Sequence, residues 1–200
     1  MKKLFIASTN QGKIKEIQDT YKSFNFEIVG LNEYPELQQI KEDGSSFEEN
    51  ALKKARAGAN HTGLLTLADD SGLVVDYLDG KPGIYSARFA GENSSDEENN
   101  IKLLNDLYKV DWENRNAFFV CIMALVNPVT GEEHTVEGKC NGYIATNPRG
   151  DNGFGYDPIF YLPEYDKTMA ELPPETKNKI SHRAKALEKM KTIFKDHLFK

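Results

Sequence analysis

The chain has 200 residues, with 25 Lys and Arg against 31 Asp and Glu and a formal charge of −6. An acidic balance lends nothing to a general nucleic-acid coat, which needs a basic face. At 39% hydrophobic and 28% charged residues, the composition excludes a disordered chain. The longest apolar run, Ala117 to Val126, is half the roughly 20 residues of a membrane span.

A chain of this length buries about 70% of the surface its unfolded form exposes, so it needs no disulfide or metal in order to fold. A single domain over residues 1–200 is expected, with room for two lobes. The opening MKKLFIASTNQGK lacks the longer apolar stretch and cleavage site of a signal peptide. Cys121 and Cys140 have no metal-ligand spacing, which points to a reduced, cytoplasmic protein with no membrane partner.

In chain order, Lys3 to Ala7 reads as the first strand and Gly12 to Phe24 as a helix, with Ile14, Ile17 and Tyr21 on one face. Glu27 to Gly30 is a short strand. Ser46 to Ala59 is a second helix, capped by Ser45 or Ser46, with Glu48 and Glu49 at its positive end. Apolar runs at Leu64 to Ala68 and Leu73 to Leu78 flank a short loop, Asp69-Asp70-Ser71-Gly72. A third helix covers Asp96 to Tyr108. Ala117 to Val126 shows no alternation, as in a central strand buried on both faces. Further strands are expected at Glu133 to Glu137, Gly142 to Ala145 and Pro158 to Leu162. From Ser181 an amphipathic helix runs to the C-terminus, with Ala184, Leu187, Met190 and Phe194 on one side. Strands and helices mix without strict alternation, so the fold class is α/β with a mixed sheet.

Four segments could carry chemistry, and each also has a plainer reading. Ser8-Thr9-Asn10-Gln11-Gly12-Lys13 joins a strand to a helix N-terminus, where free amides and the dipole favour phosphate. It also suits a capped helix start with a solvent-facing lysine. Asp69 and Asp70 are costly near buried strands unless paired or bound to a cation such as Mg²⁺. Asp, Ser and Gly are also ordinary turn residues. Glu42 and Asp43, before Gly44, are another possible carboxylate source, or part of a solvated loop.

Gly150 to Asp157 holds Phe154 between glycines, so the ring could stack on a base while Asp157 accepts hydrogen bonds from it. A glycine-rich hairpin with Phe154 packed inward is the alternative. Lys177 to Arg183 offers a planar guanidinium and His182 to carbonyl or phosphate oxygens, or is a solvated basic surface. A nucleoside triphosphate is the ligand that uses all four segments.

Six ordered motifs then carry a resemblance: SxNxGK (Ser8 to Lys13), SFEENALKKA (Ser46 to Ala55), ADDSGL (Ala68 to Leu73), PGIYSARFAGE (Pro82 to Glu92), GFGYDPIF (Gly153 to Phe160) and KxxISHR (Lys177 to Arg183). Over nearly its whole length the chain resembles the inosine/xanthosine triphosphate pyrophosphatases, which hydrolyse deaminated purine nucleotides. The resemblance implies an elongated mixed sheet with flanking helices and two lobes around a central substrate cleft, in a homodimer. It implies the reaction NTP + water → NMP + pyrophosphate with Mg²⁺, on a small-molecule nucleotide and no nucleic acid.

Residue by residue, it implies that Ser8, Thr9, Asn10, Gln11, Gly12 and Lys13 bind the triphosphate. Asp70 is then the catalytic acid/base or a metal-coupled residue, with Glu42 a second metal ligand. Ser71 lies on the substrate and Lys54 on phosphate. Phe154 stacks on the base, with Gly155 and Tyr156 in the same loop, and with Asp157, Lys177, His182 and Arg183 around its edge. Hypoxanthine and xanthine carry a 6-carbonyl where adenine carries an amino donor, so donors there would favour the former. Two other readings remain at this point: a nucleotide sensor that does not cleave, and a pyrophosphatase of the same fold acting on modified pyrimidines.

Overall fold

The computed structural model describes residues 2–195. Its strands are β1 (Lys2–Ile6), β2 (Phe26–Gly30), β3 (Leu65–Val75), β4 (Asn116–Val126), β5 (Glu133–Ile144), β6 (Phe160–Leu162) and β7 (Lys167–Thr168). Its α-helices are α1 (Gln11–Tyr21), α2 (Phe47–Thr62), α3 (Asp96–Asp106), α4 (Pro174–Ile180) and α5 (His182–Ile193). The strands form one seven-stranded sheet in the order β2-β1-β3-β4-β5-β6-β7. β1 runs parallel to β2 and β3, while β6 runs antiparallel to β5 and β7. The expected mixed α/β sheet with flanking helices is therefore present.

Two compact units divide the chain: residues 1–70, 121–138 and 184–200 in the first, 71–120 and 139–183 in the second. In the first unit, the period of two along β1 sends Leu4 and Ile6 to one face and Phe5 and Ala7 to the other. Leu4 and Ile6 meet Ile17 and Tyr21 of α1 and Leu187 and Met190 of α5. Phe5 and Ala7 meet Ala51, Ala55 and Ala59 of α2.

The small residues let α2 lie close to the sheet. A Cβ on Gly58 would come within 2.8 Å of both the Phe5 ring and Thr66. Gly58→Val should therefore cost about 1–3 kcal/mol through overpacking. The expected readout is a lower urea midpoint at unchanged slope; an unmoved midpoint would mean that α2 can shift outward freely. The second unit has its own core, built on Leu73, Leu103, Leu107, Phe119, Ile144, Tyr156, Phe160 and Met169.

Several expected boundaries change. Asp69 to Gly72 is not a loop or an Asx turn but the middle of β3, which continues to Val75 before a 3-10 turn over Asp76–Leu78. A buried strand can carry these carboxylates because each meets a lysine. β5 is one strand where two were expected, since neighbouring strands supply the ladder past Gly138 and Gly142. β4 is buried along most of its length, as its unbroken apolar run predicts. The C-terminal helix starts at His182, and its expected course over residues 196–200 lies outside the described residues. α4, which places Lys177, has no counterpart among the expected elements.

Candidate active site

In the first unit, Asn10 is the N-cap of α1, and its side chain accepts from the Lys13 amide at 3.1 Å. The Ser8 hydroxyl accepts from the Asn10 amide at 3.2 Å, and the Gln11 side chain donates to the Thr9 carbonyl at 3.4 Å. Gly12 keeps the first turn clear of a side chain. This is the predicted strand-to-helix junction, and the capping reading of it holds. The solvent-facing lysine does not, because Lys13 Nζ lies 2.9 Å from Asp69 Oδ2 and its side chain is only 16% exposed.

The register of β3 explains how two adjacent aspartates serve two different partners. Leu67 faces α1 and α5, and Ala68 faces α2. Continuing the alternation, Asp69 faces α1 and reaches Lys13, while Asp70 faces α2. Asp70 accepts from Asn50 Nδ2 at 3.0 Å and lies 3.8 Å from Lys54 Nζ. Asn50 and Lys54 are four residues apart on α2 and so share one face. Lys54 Nζ also donates to Glu42 at 2.9 Å. Lys54 thus sits between two carboxylates, a pairing the sequence does not announce.

Burial pushes the Asp70 carboxyl above its usual range, and the Glu42 charge adds to this; Lys54, Asn50 and Lys13 pull the other way without cancelling it. For Lys54, burial pulls downward, but the charges of Asp70, Glu42 and Asp69 outweigh it and leave the ammonium above its usual range. Among the described residues no cluster of three or more His, Cys, Asp or Glu forms a metal cage. Glu42 and Asp70 still fit Mg²⁺, which takes one or two carboxylates and completes its shell with water and phosphate oxygens.

In the second unit, the loop Gly153 to Asp157 carries Phe154. The ring is half-buried and belongs to no core cluster, so the inward-packed hairpin is not what forms. Asp157 Oδ2 accepts from the Phe154 amide at 3.0 Å and from Lys177 Nζ at 2.6 Å. Gly153 has φ +83, and a Cβ there would sit 2.0 Å from the Asp157 carboxylate, so only glycine fits. Lys177 Nζ lies 4.5 Å from the Phe154 ring centroid and Arg183 Cζ 5.6 Å from it. Arg183 also donates to the Ser71 hydroxyl at 3.0 Å. His182 stacks on Phe119, with centroids 4.7 Å apart. Tyr156 is buried, and its hydroxyl donates to the Ser86 carbonyl at 2.8 Å. Asp157, Lys177, His182 and Arg183 are all less than 9% exposed. The solvated-surface reading of the basic segment is therefore corrected for Lys177 and Arg183, which meet Asp157, Phe154 and Ser71 inside the fold, while Lys179 is exposed as that reading expects.

The structure thus gathers Lys13, Glu42, Lys54 and Asp70 in one unit and Ser71, Phe154, Asp157, Lys177 and Arg183 in the other. Sequence reasoning missed Asp69 as the partner of Lys13, and Asn50 as the partner of Asp70. Asn50 left a signal, one helical turn before Lys54 in the motif SFEENALKKA.

The family model described as Ham1 family matches residues 4–193. A dITP/XTP pyrophosphatase of Geobacter sulfurreducens is 52% identical over 99% of this chain and 97% of its own. One from Desulforamulus reducens is 51% identical over 96% of this chain and 94% of its own. The solved structure of a HAM1 protein from Coxiella burnetii superposes with a TM-score of 0.90, at 42% identity, covering 98% of this chain and all of the other.

Proposed function

The chain belongs to the Ham1 family, and from that premise we propose that it hydrolyses deaminated purine nucleoside triphosphates, ITP, dITP and XTP, to the monophosphate and pyrophosphate. The observation that carries this is the pairing of a buried, charge-bracketed Asp70 with Lys54 and Glu42 in one unit. The Phe154 loop with its buried cations in the other supplies what a base needs.

The residues of Ser8 to Lys13 hold the phosphates through first-turn amides and the Lys13 charge. Lys54 adds positive charge where the leaving pyrophosphate gathers negative charge. Asp70 takes the proton of the attacking water as general base. Glu42 and Asp70 are the residues that would hold Mg²⁺, which supplies further charge neutralisation on the phosphates.

Phe154 stacks on the base. Arg183, with Ser71 against its guanidinium, and His182 provide donors that a 6-carbonyl satisfies and a 6-amino group leaves unpaired. Each such mismatch is worth about 1–3 kcal/mol, roughly ten- to hundredfold in selectivity. Guanine shares the 6-carbonyl, so its exclusion rests on the 2-amino group. No helix among the described residues is long and apolar enough to cross a membrane. The homodimer and the cytoplasmic location are carried by the family resemblance, and a sizing column with light scattering checks the first.

The test is a substrate panel with Mg²⁺: ITP, XTP, GTP, ATP and dUTP. The expected order is ITP and XTP far above ATP and GTP. Preference for dUTP would favour the pyrimidine reading, and tight ITP binding without turnover the sensor. On the same scale, Phe154→Ala should raise KM for ITP about tenfold or more, since base stacking is worth about 1–3 kcal/mol. An unchanged KM would make the ring a packing element.

A further inference from the structure

We propose that the first turns of α3 are the positioning element of the base loop, with Asn100 and Asp96 fixing Gly155 and, through it, the Phe154 ring. This rests on the reading of Phe154 as the base-stacking residue. Within the loop Gly153 to Asp157 the Phe154 amide is held by Asp157, but Gly155, at φ +62 and without a side chain, depends on outside partners for its orientation. A stacking ring on such a loop binds well only if its orientation is set beforehand.

α3 sets it. The Gly155 amide donates to the Asp96 carboxylate at 2.7 Å. The Gly155 carbonyl accepts from Asn100 Nδ2 at 3.0 Å. Asp96 and Asn100 are one helical turn apart on the same face, so one rigid element takes both polar groups of a single glycine. That fixes the peptide planes on either side of its Cα, including the one joined to Phe154. Asn100 is buried at 8% exposure, whereas Asp96 is open to solvent, so Asn100 is the stronger anchor.

α3 is itself held. Ser95 and Glu98 form a capping box at its start. Asn99 accepts from the Ala90 amide at 2.8 Å and donates to the Ala87 carbonyl at 3.2 Å. Two adjacent asparagines therefore brace two different loops: Asn99 the PGIYSARFAGE segment, Asn100 the base loop.

The test compares wild type, Asn100→Ala, Asp96→Ala and Asp96→Asn, measuring kcat and KM for ITP and ATP together with the melting temperature. Asn100→Ala should raise KM for ITP about tenfold with kcat within about twofold, as expected for one lost buried hydrogen bond. The ITP-over-ATP ratio in kcat/KM should fall in parallel. Asp96→Ala should give a smaller shift, about threefold for an exposed bond, and Asp96→Asn, which can still accept from the Gly155 amide, should restore most of it. A lower melting temperature with unchanged KM and ratio would show that these residues only stabilise the fold, and would overturn the proposal. Wild type that fails to hydrolyse ITP overturns the functional reading and the proposal with it. Normal wild-type hydrolysis with unshifted variants overturns the proposal alone.

Discussion

Asp70→Asn should lower kcat by about 10²–10⁴ while leaving the protein at least as stable as wild type. The loss follows from removing the general base, whose contribution is typically of that size. The stability expectation follows from the raised carboxyl. A folded state that holds Asp70 above its usual range binds the charged form less well than the unfolded chain does. At neutral pH the carboxylate is thus a destabilising charge, relieved only as the pH falls far enough to protonate it. Asparagine removes that charge, matches the shape, and keeps an acceptor for Asn50 Nδ2. Lys54 retains Glu42 at 2.9 Å. An activity within tenfold of wild type would remove Asp70 from the chemistry. A melting temperature well below wild type would mean that the carboxylate serves the fold instead. The combination of inactive and not less stable is the signature of a residue kept for function.

Arg115→Met should have the opposite signature, with a large loss of stability and ordinary chemistry in the molecules that remain folded. Arg115 is 4% exposed. Its guanidinium donates to the carbonyls of Leu107 at 2.6 Å, Val110 at 3.1 Å, Ala145 at 3.1 Å and Ile144 at 3.4 Å. It closes the C-terminal end of α3, where the last carbonyls lack helical partners and the dipole favours a cation. It ties that end to the end of β5. Burial draws its pKa down, and the carbonyls are what compensate the charge. Methionine fills some of the volume but leaves the oxygens unpaired, at about 1–3 kcal/mol for each that water cannot reach. A total of at least about 3 kcal/mol is expected, or a melting temperature lower by roughly 6–12 °C for a chain of this length. Arg115→Lys should recover little, since one ammonium cannot span the fork. Values of kcat and KM for ITP, measured well below the transition, should stay near wild type. A drop of only a degree or two would mean that water takes over the carbonyls.

Much of the candidate site's local geometry is legible in the sequence because its residues lie in short segments whose chemistry is local. The Ser8 to Lys13 junction, the α2 motif and the glycines around Phe154 each announce a backbone geometry, and the structure places each segment accordingly. What was not legible depends on register and on distant pairing. The reading of Asp69 to Gly72 as a loop was reasonable from composition, since Asp, Ser and Gly favour turns. The sheet overrides that preference because Lys13 and Lys54 meet the two carboxylates from opposite faces. The partner of Lys13 could not be named until β3 was known to run straight through. Asn100 and Asp96 reach a glycine 55 and 59 residues away, and no local pattern encodes that. Arg115 carries no local signal of its role, because its four carbonyl partners come from two separate stretches of chain. The basic segment at Lys177 to Arg183 was the most misleading locally. Its charges resemble a surface, yet Lys177 and Arg183 are buried against Asp157, Phe154 and Ser71, and only Lys179 is exposed.

The central claim is attack by water at the α-phosphorus of a deaminated purine triphosphate. Hydrolysis of ITP in ¹⁸O-labelled water with Mg²⁺, followed by mass analysis of both products, tests it most directly. Pyrophosphate and inosine monophosphate should appear in equal amounts, with the label in the monophosphate. Label in the pyrophosphate would place the attack at the β-phosphorus. Release of orthophosphate from ITP would mean that the γ-phosphate is the one cleaved, and either result would contradict the assignment of Lys13, Lys54 and Asp70.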